Sequence, residues 1–130
     1  MIKSVYFVLG GPGSGKGTFC ANLARRMNDS IGHMSAGELL RQYTKRVDED
    51  SFDAELRTKI RHLKEIMEHG RMVPAEVTVS LLMDAIRKAP QRKVFIDGFP
   101  RNFANKRGWH EVVDSRRDIS TDGVIHLCCS

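Results

Sequence analysis

Nine residues near the amino end carry the densest chemistry in the chain. Gly10-Gly-Pro-Gly-Ser-Gly-Lys-Gly-Thr18 has the spacing G-x-x-x-x-G-K. Glycines let a turn close around a phosphate with its N–H groups facing inward. A helix that starts at such a turn adds partial positive charge. The run therefore predicts a phosphate-binding loop made of Gly11, Pro12, Gly13, Ser14, Gly15, Lys16, Gly17 and Thr18. Lys16 can bridge β- and γ-phosphoryl oxygens. The hydroxyl that usually follows this lysine is displaced by Gly17, so Thr18 is the hydroxyl candidate nearest phosphate and magnesium.

Other chemistry-bearing residues lie far from the loop. Arg41 and Arg101 stand in separate segments. The arginine fork matches phosphate oxygens. Asp97 ends the apolar run Val94-Phe95-Ile96, and α/β sheets place ligands at the carboxyl ends of strands. His33, His62, His69, His110 and His126 show no metal-ligand clustering, and Cys128-Cys129 reads as strand packing.

These residues need elements to position them. Residues 4–9 read as a buried parallel strand. From Gly15 a helix carries Phe19, Cys20, Leu23, Ala24 and Met27 on one face. Residues 30–34 read as extended, and Ser35 with Glu38 forms a capping box for the next helix. Phe52, Leu56, Ile60, Leu63 and Met67 stripe one side of a helix that Gly70 stops. Pro74 suits the start of the following helix, which turns Val77, Leu81, Leu82, Ala85 and Ile86 inward before Pro90. Residues 94–96 form a strand, a helix runs from about Asn102 to Val113, and Asp122-Gly123 marks a turn before a strand at Val124–Cys129. The βα alternation predicts an α/β domain with a parallel sheet.

Composition bounds the alternatives. The 130 residues suit one domain, and 41% hydrophobic with 28% charged residues suits a packed fold. Three cysteines argue against a disulfide scaffold and fit a reducing compartment. The apolar runs are far shorter than the roughly 20 residues of a membrane span. The amino-terminal strand leads straight into the glycine-rich loop and reads as structure rather than as a signal peptide. A formal charge of +5 suits an anionic partner, but neither a zinc-finger spacing nor an aromatic string points to nucleic acid.

The loop is accompanied by Ser35-Ala-Gly-Glu-Leu-Leu-Arg41, Gly70-Arg-Met-Val-Pro74, Glu76-Val-Thr-Val-Ser-Leu-Leu82, Asp97-Gly-Phe-Pro-Arg101 and Gly108-Trp109. Together these resemble the nucleoside monophosphate kinases, the adenylate kinase-like P-loop kinases, and within them the UMP-CMP kinase branch. The resemblance implies a three-layer P-loop NTPase fold, with core at 1–35 and 91–130 and a helical monophosphate-binding insertion at 36–90. It implies that Lys16, Arg41 and Arg101 are catalytic, with both arginines on the α-phosphate of the monophosphate. Ser35, Gly37, Met72, Val73, Gly98 and Asn105 would join them in the acceptor site. Thr18 and Asp97 would serve magnesium, Asp97 through water. Asn105 stands where adenylate kinases carry Gln, and Ala36 where they usually carry Thr.

The implied reaction is reversible transfer of the terminal phosphoryl group of MgATP to CMP or UMP. AMP as acceptor, or a non-catalytic nucleotide-binding protein on a reduced kinase scaffold, are the alternatives. No general base is demanded, because the acceptor phosphate is already a nucleophile. The expected partners are small nucleotides, without nucleic acid or membrane. The expected state is a monomer when complete, in the cytoplasm, with the nucleus as a second compartment. Two departures stand out. The segment between Arg41 and Gly70 is longer than in short members, predicting an extended loop near 44–51. The chain also stops directly after the strand at 124–129, where the family continues into an arginine-bearing lid, a strand and a helix. The expectation is a missing C-terminal part, with phosphate binding kept and transfer at least ~10²-fold slower.

Overall fold

The computed structural model describes residues 2–11, 15–28, 30–46 and 52–127. Four parallel strands form one sheet: β1 (Lys3–Leu9), β2 (Ile31–Ser35), β3 (Lys93–Asp97) and β4 (Ile119–His126), in the order β2-β3-β1-β4. Five helices join them: α1 (Lys16–Arg26), α2 (Ala36–Lys45), α3 (Ala54–Glu68), α4 (Ala75–Lys88) and α5 (Phe103–Val113). Among the described residues no helix is long and apolar enough to cross a membrane.

Alternation along the strands separates the two faces of the sheet. Val5, Phe7, Val94, Ile96 and Ile119 pack with Val79, Leu82 and Ile86 of α4 and Trp109 and Val113 of α5. Tyr6, Val8, Phe95 and Ile31 face the other way, against Phe19, Cys20, Leu23 and Ala24 of α1. The result is the parallel-sheet α/β domain the βα alternation predicts, with helices on both faces in three layers as the resemblance implies. Trp109 is 1% exposed, and its indole N–H donates to Thr121 Oγ1 at 2.9 Å, so the core's largest side chain also has its polar atom paired.

A second apolar cluster joins Tyr43, Phe52, Ile60 and Leu63 to Val77 and Leu81 of α4. Helix α4 thus serves two cores, with Val79 and Leu82 on the sheet and Val77 and Leu81 under α2 and α3. Its sequence shows why: Val77, Thr78, Val79, Leu81, Leu82, Met83 and Ile86 are all buried, a broader apolar surface than one contact face needs.

Several local expectations give way. Phe52 is buried but precedes α3, whose N-cap is Asp53; Asp53 Oδ1 accepts from the Leu56 N–H. Met67 is exposed, and Ile66 continues the inward stripe instead. Met27 likewise lies past the end of α1 and is exposed. Ser35 is the N-cap of α2 without a side-chain capping bond, because it also ends β2 in extended backbone; Glu38 pairs with Arg41 instead. The segment expected as a long loop near 44–51 is helical through Lys45, and residues 47–51 lie outside the described residues.

Asp122-Gly123 is not a turn. It lies inside β4, where the register on β1 passes from Val5↔Thr121 to Tyr6↔Gly123 and leaves Asp122 as a bulge. A Cβ on Gly123 would come within 3.0 Å of the Tyr6 ring, so the strand crosses that ring only as glycine. Asp122 takes hydrogen bonds from the hydroxyls of Ser120 and Ser4, which hold its carboxyl below the usual aspartate range.

Candidate active site

The carboxyl ends of β1 and β3 open into a cleft of about 570 Å³. Lys16, Ser35, Asp97, Gly98 and Arg101 line it, so five expected site residues from three segments meet in one place. Lys16 Nζ donates to the carbonyls of Gly10 at 2.9 Å and Gly11 at 3.4 Å, which holds the ammonium over the start of the loop. Gly11, Gly15 and Gly17 have open space where a side chain would project, and Thr18 is exposed in the first turn of α1. Pro12, Gly13 and Ser14 lie outside the described residues.

A second cavity of about 310 Å³ adjoins the cleft and shares Gly98, Phe99 and Arg101 with it. Gly37, Met72, Val73 and Asn105 line it, as expected, and Met72 is 82% exposed at its rim. Ser35 lies in the cleft and not among the residues lining this cavity. Leu40, Arg71, Thr78 and Asn102 also line it. Arg71 and Thr78 lie inside the segments Gly70–Pro74 and Glu76–Leu82, and that membership is the one signal in the sequence that singles them out.

Two arginines converge on Gly37 at the wall of this cavity; Arg101 lines it, and Arg41 is not among its lining residues. A Cβ on Gly37 would lie 3.3 Å from Arg101 Nη2 and 3.6 Å from Arg41 Nη1, so the missing side chain lets both guanidinium groups approach the start of α2. Arg101 is anchored by its Nε donating to Gly98 O at 2.9 Å. Gly98 has φ +78°, which an L side chain rarely adopts, and this turn carries the chain from β3 to Arg101. Arg41 Nη2 pairs with Glu38 Oε2 at 3.0 Å, with both side chains about half exposed. Such a pair is weak and exchangeable for an anionic ligand. Its hydrogen bond and charge keep the Glu38 carboxyl below the ordinary range.

Asn105 is buried in the first turn of α5. The Arg101 backbone N–H donates to its Oδ1 at 3.0 Å, and that donor fixes which way the amide points. Asn102 caps the helix by accepting from the Asn105 N–H at 2.9 Å.

Behind the cleft, His33 Nε2 lies 2.5 Å from Asp97 Oδ2, and Cys20 approaches the same pair. The ligand atoms of all three residues fall within 4.8 Å of one another. This corrects the reading of the histidines as unclustered: β2 and β3 pair in register and bring His33 beside Asp97 across 64 residues of sequence. Burial, then the Asp97 charge, pushes the Cys20 thiol up to about 11.

The family model for adenylate kinase matches residues 8–130. The chain belongs to the adenylate kinase family. Among curated relatives it is 42% identical over 125 residues to UMP-CMP kinase of Sus scrofa, covering 92% of this chain and 59% of that protein. It is 43% identical over 121 residues to UMP-CMP kinase of Homo sapiens, covering 89% and 57%, and 39% identical over 135 residues to UMP-CMP kinase of Danio rerio, covering 100% and 63%. The chain thus spans about 57–63% of the length of these relatives.

Proposed function

We propose that this site transfers the terminal phosphoryl group of MgATP, reversibly, to a pyrimidine nucleoside monophosphate, CMP or UMP. The observation that carries the proposal is the convergence of Arg41 and Arg101 over Gly37, next to a cleft that holds Lys16. Two guanidinium groups beside one small cavity suit a phosphate dianion whose base lies deeper. The relatives named UMP-CMP kinase support the choice of acceptor.

In this reading ATP lays its phosphates along the loop at Gly11–Thr18. Lys16 leaves the Gly10 and Gly11 carbonyls for β- and γ-oxygens. The monophosphate enters the smaller cavity, with its α-phosphate on Arg41 and Arg101. An oxygen of that phosphate attacks the γ-phosphorus while the bond to the bridging oxygen of ADP breaks. The attacking oxygen is already anionic, so no proton must be removed, and the protein's work is alignment and neutralisation of charge. Arg101 touches both cavities and is placed to follow the migrating group.

Asn105 reads the base. With Oδ1 turned to Arg101, its NH₂ group is offered to a carbonyl oxygen of the pyrimidine ring. Ser35, Gly37, Met72, Val73 and Gly98 complete the acceptor site by shape and backbone, and residues 36–90 act as the subdomain that receives the monophosphate. The oxygen donors available to magnesium, the Asp97 carboxylate and the Thr18 hydroxyl, are hard ligands of the kind that ion takes. Bound with ATP, magnesium would neutralise β- and γ-phosphate charge, with Asp97 holding its water and Thr18 nearest to it. A monomer working in the cytoplasm completes the proposal. A coupled assay with CMP, UMP and AMP tests it. The expected order places kcat/KM for CMP or UMP highest, and a higher value for AMP than for both pyrimidines overturns it.

A further inference from the structure

We infer that Cys20, His33 and Asp97 form a binding site for a borderline-soft divalent cation of the Zn²⁺ class, set behind the nucleotide cleft. The three residues come from α1, β2 and β3, and packing of the helix on the sheet brings them together. Their ligand atoms lie within 4.8 Å of one another, with His33 Nε2 and Asp97 Oδ2 at 2.5 Å. Tetrahedral Zn²⁺ with bonds of about 2.0–2.3 Å needs its ligands about 3.3–3.8 Å apart. The cluster brackets that spacing, so binding requires the close pair to open by about 0.8 Å and the thiol to draw in by up to about 1.3 Å.

The donor set selects the ion. One sulfur, one imidazole nitrogen and one carboxylate oxygen suit Zn²⁺, whereas magnesium and calcium take oxygen ligands alone. Depth sets the route of entry. The His33 side chain is 27% exposed and that of Asp97 11%, while Cys20 is fully buried. A cation arrives at the imidazole, engages the carboxylate and reaches the sulfur last. Three protein ligands leave a fourth position for water on the exposed side.

The cation would take Asp97, the carboxylate assigned above to magnesium-bound water. Zn²⁺ is therefore expected to slow phosphoryl transfer; this consequence rests on the proposed function, whereas the binding site does not.

The test uses the full chain with Cys128→Ser and Cys129→Ser, so that only Cys20 supplies sulfur. Equilibrium dialysis is expected to give one Zn²⁺ per chain with Kd at or below about 1 µM. Co²⁺ in its place is expected to show a thiolate-to-cobalt charge-transfer band. Cys20→Ser removes the band and weakens Zn²⁺ by at least ~10²-fold, the upper end of what loss of a merely supporting partner costs. His33→Gln, at the exposed mouth, weakens Zn²⁺ similarly and serves as the test if Cys20→Ser does not fold by circular dichroism. Absence of binding at about 100 µM Zn²⁺, absence of the cobalt band, or Zn²⁺ affinity unchanged in His33→Gln or in a folded Cys20→Ser variant overturns the site. Stoichiometric binding with phosphoryl transfer undiminished supports the site and overturns the role given to Asp97.

Discussion

The proposed donor and acceptor sides of the site are built in different ways. The donor side is one continuous run, Gly10–Thr18, between the end of β1 and the first turn of α1. The proposed acceptor side draws on Gly37 of α2, with Arg41 beside it, Met72 and Val73 before α4, Thr78 within it, Gly98 and Arg101 after β3, and Asn105 of α5. The first needs a strand and a helix in register. The second exists only when α2, α4 and α5 are all packed. A local loop is set by its own residues, whereas a dispersed pocket depends on every interface that holds its pieces. Damage to packing should therefore reach the acceptor long before the donor.

The strongest way to break this contrast is Arg101→Ala. It is expected to lower kcat/KM for the pyrimidine monophosphate by ~10²–10³-fold in a coupled assay, the usual cost of losing one charge-stabilising donor. ATP binding by calorimetry should stay unchanged. Equal loss on both ligands would show that the two sides are not separate.

Phe52→Ala probes packing at a distance. Phe52 is 2% exposed, stacks with Tyr43 at 5.6 Å between centroids, and has Arg46 and Lys88 over its ring. Its truncation should cost about 3 kcal/mol in denaturant unfolding and raise the acceptor KM while leaving ATP affinity intact. Gly37→Ala sharpens the same point without a cavity. The new Cβ meets the Arg101 guanidinium at 3.3 Å, so acceptor KM should rise about 10-fold through misplacement of the fork. No change in KM would mean that the side chain simply swings aside.

The smallest effect lies at the far edge of the sheet. The carboxyl of Asp122 is held below its usual range by the Ser120 and Ser4 hydroxyls. A lowered folded value means that its stabilising contribution is present above about pH 4 and is lost as pH falls towards the folded value. Acid titration of stability should therefore be shallower in Asp122→Asn, with activity at neutral pH unaffected. An identical acid profile would show that the hydroxyl contacts contribute nothing to folding.

The same division explains what the sequence made legible. The strand ending at Asp97 and the helix that follows Asn102 carry short-range signals, and each lies where those signals put it. Asp122-Gly123 misled because the pair is a hairpin signal only between antiparallel strands; here the strand runs parallel to β1 and yields one residue to pass Tyr6. The spacing from Phe52 to Met67 fits a single helix face, yet the Asp53 cap separates Phe52 from the helix. Cys20, His33 and Asp97 could not be grouped from spacing, since their meeting is a product of strand pairing and of α1 lying on that face.

In the proposed acceptor site, one hydrogen bond would make selectivity and speed inseparable. The amide of Asn105 is tied to the backbone of Arg101, whose guanidinium is tied in turn to Gly98. A base that sat badly on Asn105 would strain the segment that aims the proposed phosphate clamp. A wrong nucleotide is then penalised twice, by loose residence and by poor aim once resident. Discrimination of this kind survives saturation: an excess of the wrong monophosphate fills the pocket but does not restore the turnover.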